Sequence, residues 1–166
     1  MARLGIDIGR VIIGPVVGGQ ADTSFLGSQL EDALRTPPAD GAFDAISALV
    51  PRFQGVWLVS KCGPSVQRKT VAWLAHHRFH EITGVPQGNV RFCLERRDKA
   101  EHARKLGLTH FVDDRLDVLQ HLRPLVERLY LFGEQERRPP GWVVYVQTWT
   151  DTLVAIEADL AASASA

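Results

Sequence analysis

The chain has 166 residues, enough for one domain with a sizeable core, and 45% hydrophobic against 23% charged residues reads as a globular protein in water. Nineteen Lys+Arg balance nineteen Asp+Glu, so there is no general attraction to nucleic acid or to a membrane surface. Two cysteines without metal-type spacing read as free thiols, no apolar run approaches the roughly 20 residues that span a bilayer, and the N-terminus carries no signal-peptide pattern. The cytoplasm is the expected compartment.

Short apolar runs that end in polar residues recur along the chain: "RLGID", "GVWLVS", "VRFCLE", "THFVDD" and "RLYLFG". Runs of this kind are buried parallel strands. Helical spacing lies between them, over Phe43–Leu49, Ser65–Phe79, Lys99–Leu106 and Leu116–Val126. The alternation predicts an α/β fold: a doubly wound, Rossmann-like parallel sheet with helices on both faces. Residues 1–161 are expected to form a single domain, and 162–166 a disordered tail.

Three stretches interrupt the rhythm. "VIIGPVV" around Gly14-Pro15 suggests a hairpin. "FLGSQLEDALRTPP" predicts a short helix, opened by a capping box of Ser28 and Glu31 and stopped by Pro37-Pro38. "GEQERRPPG" is a polar loop. Further on, Trp149 is expected to anchor a C-terminal helix capped by Thr150 or Asp151.

In a doubly wound sheet, ligands bind beyond the carboxyl ends of the strands. Those ends carry Asp7, Ser60 and the pair Asp113-Asp114, and Lys99 opens the helix after the third core strand with Asp98 as its N-cap. Singly, each has an ordinary explanation: Asp7 a turn residue, Asp113-Asp114 a helix cap, Lys99 a solvated helix residue, Ser60 a cap. Together they place three carboxylates, a hydroxyl and an amine on one rim. Clustered carboxylates need a counter-charge, and carboxylate oxygens suit Mg²⁺; a lysine and a hydroxyl beside it suit a phosphate. Lys69 is a rival for the lysine but lies in mid-helix. Arg10, Lys61 and Arg115 flank these positions, either as surface charge or as contacts for an anionic substrate. His76, His77 and His80 in "AHHRFH" read as a solvated helix face, because no cysteine or carboxylate completes a metal site. Cys62 reads as a small packed thiol.

The ordered set "GIDIGRV", "VWLVS", Lys99 in "RRDKAEHARKLG" and "HFVDDR" resembles the four motifs of the haloacid dehalogenase superfamily, over about residues 3 to 132. The style is closest to its 5′-nucleotidase-like and other phosphatase members. The resemblance implies Asp7 as a nucleophile that becomes an aspartyl-phosphate. Ser60 and Lys99 would hold the phosphoryl group, and Asp114 would assist. Mg²⁺ would sit on Asp7, the Gly9 backbone carbonyl and Asp113. Phosphatase members usually carry a second aspartate where this chain has Gly9, and that residue is their general acid and base. Losing such a group typically removes about 10²–10⁴-fold of rate. Three readings follow: a slow phosphatase, a hydrolase or transferase with another leaving group, and a protein that binds metal and a phosphorylated ligand or partner without turnover. A phosphoryl-receiver domain uses similar residues, but with the acid pair on its first strand.

The expected partner is a small phosphorylated molecule or a phosphorylated macromolecule. Members of the superfamily often insert a cap domain; the intervals here leave little room for one, so a capless or minimally capped protein with an open site is expected. "FLGSQLEDALRTPP" and "VIIGPVV" are the pieces best placed to form a lip over the rim or a homodimer contact.

Overall fold

The computed structural model describes residues 1–14 and 25–166. Six strands, β1 (Arg3–Ile6), β2 (Gly55–Lys61), β3 (Val90–Cys93), β4 (His110–Asp113), β5 (Arg128–Phe132) and β6 (Val144–Val146), form one sheet in the order β3-β2-β1-β4-β5-β6. Every pairing is parallel. The chain winds outward from β1 to β3, then returns to the other side of β1 and winds outward again. The reversal falls between β1 and β4, where Leu4 faces His110 and Ile6 faces Val112.

Among the described residues seven helices cover the sheet: α1 (Leu30–Leu34), α2 (Ala42–Leu49), α3 (Pro64–His76), α4 (Phe79–Thr83), α5 (Lys99–Leu106), α6 (Leu116–Leu122) and α7 (Trp149–Ala164). Side chains on a strand alternate between faces, and two cores result. Leu58, Val112 and Tyr130 point into one with Trp73 and Trp149; Val59, Phe111 and Leu131 point into the other with Leu119 and Leu122. Both faces are therefore covered, as the continuous apolar runs predict. Gly5 is required in β1: a Cβ there would stand 2.5 Å from the Phe111 ring.

The described residues between β2 and β3 form only α3, α4 and a 3-10 turn (Gln87–Asn89), and those from 25 to 54 only α1, α2 and a 3-10 turn, so no separate cap domain stands in either interval among the described residues. Several expectations change. The helix predicted to Phe79 breaks after His76, because Arg78 turns left-handed (φ 55°) and sends Phe79 inward against Phe43, ring centroids 5.2 Å apart. α6 stops at Leu122 rather than Val126, since Pro124 has no N–H to continue it. The N-cap of α1 is Gln29, with no side-chain capping bond, so the Ser28–Glu31 box does not form. Asp98 stands at the N-cap of α5 also without a capping bond, because a 3-10 turn leads straight into the helix. Thr148, not Thr150 or Asp151, caps α7 by accepting from the Asp151 N–H at 3.1 Å. α7 continues to Ala164, through most of the expected tail. The strand β6 was not expected. The proposed hairpin falls partly outside the described residues; its first half is a tight buried turn in which the Val11, Ile12 and Ile13 N–H groups all point at the Ile8 carbonyl.

Candidate active site

Four backbone segments converge at the carboxyl ends of β1, β2 and β4. Asp7 directly follows β1, and its N–H donates to the Val112 carbonyl at 2.9 Å, which extends the β1–β4 ladder by one residue. Asp113 ends β4, and its Oδ1 accepts from the Arg115 N–H at 3.0 Å, which starts the turn into α6. Ser60 lies near the end of β2. Lys99 is the first residue of α5, and Gly107 (φ 62°) closes that helix and turns the chain into β4.

Lys99 ties the segments together. Its Nζ donates to Asp7 Oδ1 at 2.8 Å and to Asp113 Oδ2 at 2.7 Å. Asp7, Asp113, Lys99 and Ser60 are 7%, 0%, 2% and 7% exposed, so these charges meet in a low dielectric. Burial alone would strip the Lys99 proton, but Asp113 and Asp7 outweigh it and hold the ammonium above the usual lysine range. Asp114 completes the group: Asp7, Asp113 and Asp114 each offer an oxygen, all within 4.8 Å of one another. Burial pushes the Asp113 carboxyl up, and the Asp7 charge adds to it. Burial, the charges of Asp7 and Asp113 and a hydrogen bond with Asp7 raise Asp114 further. One ammonium would not balance three ionised carboxylates, and the raised Asp114 carboxyl holds a proton where no cation stands. The remaining deficit, in an all-oxygen donor set, fits a hard divalent cation.

A recess of about 50 Å³ opens onto this cluster. Asp7, Gly9, Ser60, Lys99 and Asp114 line it, as do Arg10, Lys61, Arg96 and Arg115. The rim is less open than expected: Asp7 is buried by its own neighbours, and Ile13 and Phe25 stand in the wall. Cys62 also lines the recess, and burial raises its pKa and keeps it a thiol. Lys69 lies elsewhere, its Nζ donating to the Ser28 carbonyl at 2.7 Å. The histidines form no shared site; His77 meets the Leu34 carbonyl and His80 the Val85 carbonyl. Arg96 is the lining residue that sequence reasoning passed over. Its signal was the charged "RRD" directly before Lys99.

Solved structures share this architecture along nearly their whole length. D,D-heptose 1,7-bisphosphate phosphatase from B. bronchiseptica, complexed with magnesium and phosphate, superposes with a TM-score of 0.69 at 14% identity, over 96% of this chain and 99% of that one. A haloacid dehalogenase-like family hydrolase from Xanthomonas campestris gives 0.66 at 11% identity, over 99% and 98%. The fold is the one seen in that haloacid dehalogenase-like hydrolase. The cobalt-bound deoxy-D-mannose-octulosonate 8-phosphate phosphatase from Haemophilus influenzae superposes with a TM-score of 0.56 at 12% identity, over 97% and 90%. No family model matches the chain, and no curated protein matches it in sequence. No helix among the described residues is long and apolar enough to cross a membrane.

Proposed function

We propose that this HAD-like chain is a divalent-cation-dependent phosphohydrolase acting on a small phosphorylated molecule through an aspartyl-phosphate on Asp7. The observation that carries it is the Lys99 ammonium held between Asp7 and Asp113, with Asp114 completing an all-oxygen donor set within 4.8 Å.

Asp7, Asp113 and Asp114, with the Gly9 carbonyl, would hold the cation, which when bound neutralises phosphoryl oxygens. Lys99 pins Asp7 Oδ1 and so orients the carboxylate toward the recess. The Ser60 hydroxyl and the Lys99 ammonium supply donors for the phosphoryl oxygens as charge spreads over them. Attack by Asp7 replaces one difficult displacement with two easier ones. Gly9 favours a second reading, in which metal and a phosphorylated ligand or partner bind without turnover.

Acetyl phosphate with Mg²⁺ separates the two. The hydrolase releases orthophosphate and shows a phosphoryl adduct on Asp7 by mass spectrometry, and Asp7→Asn loses both. Calorimetric phosphate binding with neither adduct nor release would identify the binder.

A further inference from the structure

We propose that the substrate is a phosphoric anhydride, a molecule whose leaving group is itself a phosphate, and that Arg10, Arg96 and Arg115 receive that leaving phosphate. This rests on the phosphohydrolase reading and narrows it.

The first observation is the distribution of charge. A chain of zero net charge gathers five cations around one small recess: Lys99 at its floor, and Arg10, Lys61, Arg96 and Arg115 around it. The acidic groups lining it are Asp7 and Asp114, both within the carboxylate cluster. Beyond that cluster no carboxyl or imidazole group lines the recess among the described residues. An alkoxide leaving group needs a proton as it departs, and the position two residues after Asp7, Gly9, has no side chain to supply one. A leaving phosphate departs as a stable anion and needs opposite charge rather than a proton. The recess supplies charge.

The second observation is the backbone at Arg10. It is left-handed, with φ 64°, a conformation uncommon for a residue other than glycine. Such outliers concentrate where a site demands them. Arg10 stands at a junction: Arg10 and Asp114 line not only the small recess but also two larger neighbours of about 480 and 620 Å³. The larger of these is lined by Arg115, Arg137 and Arg138 and by Asp117, Glu134 and Glu136, and the smaller by Asp40 and Glu134. Arg96 and Arg115 both reach Asp117, at 3.4 and 3.3 Å, which sets their guanidinium groups on the same side of the recess. Arg10 therefore borders both the recess and the volume that holds Arg137 and Arg138.

The chemistry balances without an acid. An Asp7 oxygen bonds to the terminal phosphorus, the bond from phosphorus to the bridging oxygen breaks, and that oxygen leaves with the electron pair as phosphate. Water then bonds to the phosphorus of the aspartyl-phosphate and the bond to Asp7 breaks. The carboxylate is restored, and both water protons depart on the released orthophosphate.

The test compares pyrophosphate, acetyl phosphate and glycerol phosphate as substrates with Mg²⁺. Binding of methylenediphosphonate against methylphosphonate is measured by calorimetry, where no turnover occurs. Pyrophosphate is expected to exceed glycerol phosphate in kcat/KM by about 100-fold or more. Arg10→Gly is the informative variant, since glycine takes the left-handed backbone without strain and folding is preserved. It should lower kcat/KM for pyrophosphate by about 10- to 100-fold, lower it less for acetyl phosphate, and abolish the preference for the diphosphonate. Gly9→Asp restores an acid and should raise glycerol phosphate turnover relative to pyrophosphate. Glycerol phosphate hydrolysed as fast as pyrophosphate, or an equal loss on all three substrates in Arg10→Gly, overturns the anhydride assignment alone. No adduct on Asp7 and no turnover of any substrate overturns the phosphohydrolase reading and this proposal with it.

Discussion

Lys99 is the residue on which the site's electrostatics turn. Its ammonium is buried with two direct carboxylate partners, and removing one member of such a group leaves uncompensated charge behind. Lys99→Met is therefore expected to destabilise the metal-free protein by about 3–5 kcal/mol at neutral pH. Urea unfolding in EDTA measures the loss. Saturating Mg²⁺ should recover part of it, because the cation takes over as counter-charge and binds only the folded cluster. An unchanged midpoint in EDTA would show that the carboxylates take up protons at no cost, and the lysine would then be dispensable for folding.

Among the elements, α7 supports the site without lining it. Trp149, fully buried at its first turn, donates its indole N–H to the Val11 carbonyl at 2.7 Å and packs on Phe132. The C-terminal helix thus holds the turn that presents Gly9 and Arg10. Trp149→Phe keeps most of the ring and removes the donor, leaving a buried carbonyl without that partner. A loss of about 1–3 kcal/mol is expected by urea unfolding, with a rise in KM as the Gly9–Ile13 turn loosens. The elements that carry the chemistry were legible in the sequence for a simple reason. β1, β2 and β4 are buried on both faces, so each is an uninterrupted apolar run, and Asp7, Ser60 and Asp113 stand where the run stops. β6 gave no such signal: it is a three-residue edge strand with Val144 and Tyr145 partly exposed, close behind Pro139-Pro140. Nor does any local residue preference announce the break at Arg78. It is imposed by the burial of Phe79, a tertiary demand that helical spacing cannot express.

The whole molecule carries a second buried titratable group, at the opposite end of the sheet. His110 opens β4, with its ring between Phe53 and Tyr130, its Nδ1 on Thr109 Oγ1 at 2.8 Å and its Nε2 buried without a hydrogen-bond partner. Burial lowers its pKa, against the smaller opposing effects of Asp159 and Glu127. The unfolded chain then binds this proton more readily than the folded one. The stability contribution is fully present above the unfolded value of about 6.5 and is lost as pH falls from there through the lower folded value. Unfolding free energies at pH 7.5 and pH 5.5 test this: His110→Phe should show a weaker acid dependence than wild type. An identical dependence in both would place the acid sensitivity elsewhere.

The parallel pairing of β1 with β4 has a kinetic consequence. Lys99 and Asp7 are 92 residues apart in the chain, and Asp113 comes later still. The N-terminal half therefore contains the proposed nucleophile but not its partners. Pairings so distant in sequence are costly to close and tend to form late in folding. Asp7 is then apart from the adjacent pair Asp113-Asp114 in the rate-limiting barrier, and a cation finds no complete donor set until that barrier is crossed. Mg²⁺ should leave the refolding rate nearly unchanged and slow unfolding, in proportion to the stability it adds. Stopped-flow traces with and without Mg²⁺ measure both limbs. Acceleration of refolding by the ion would mean that β1 and β4 meet early. In the expected case the cation is a latch rather than a nucleus: it sets how long the finished molecule lasts, and has no part in how quickly it is made.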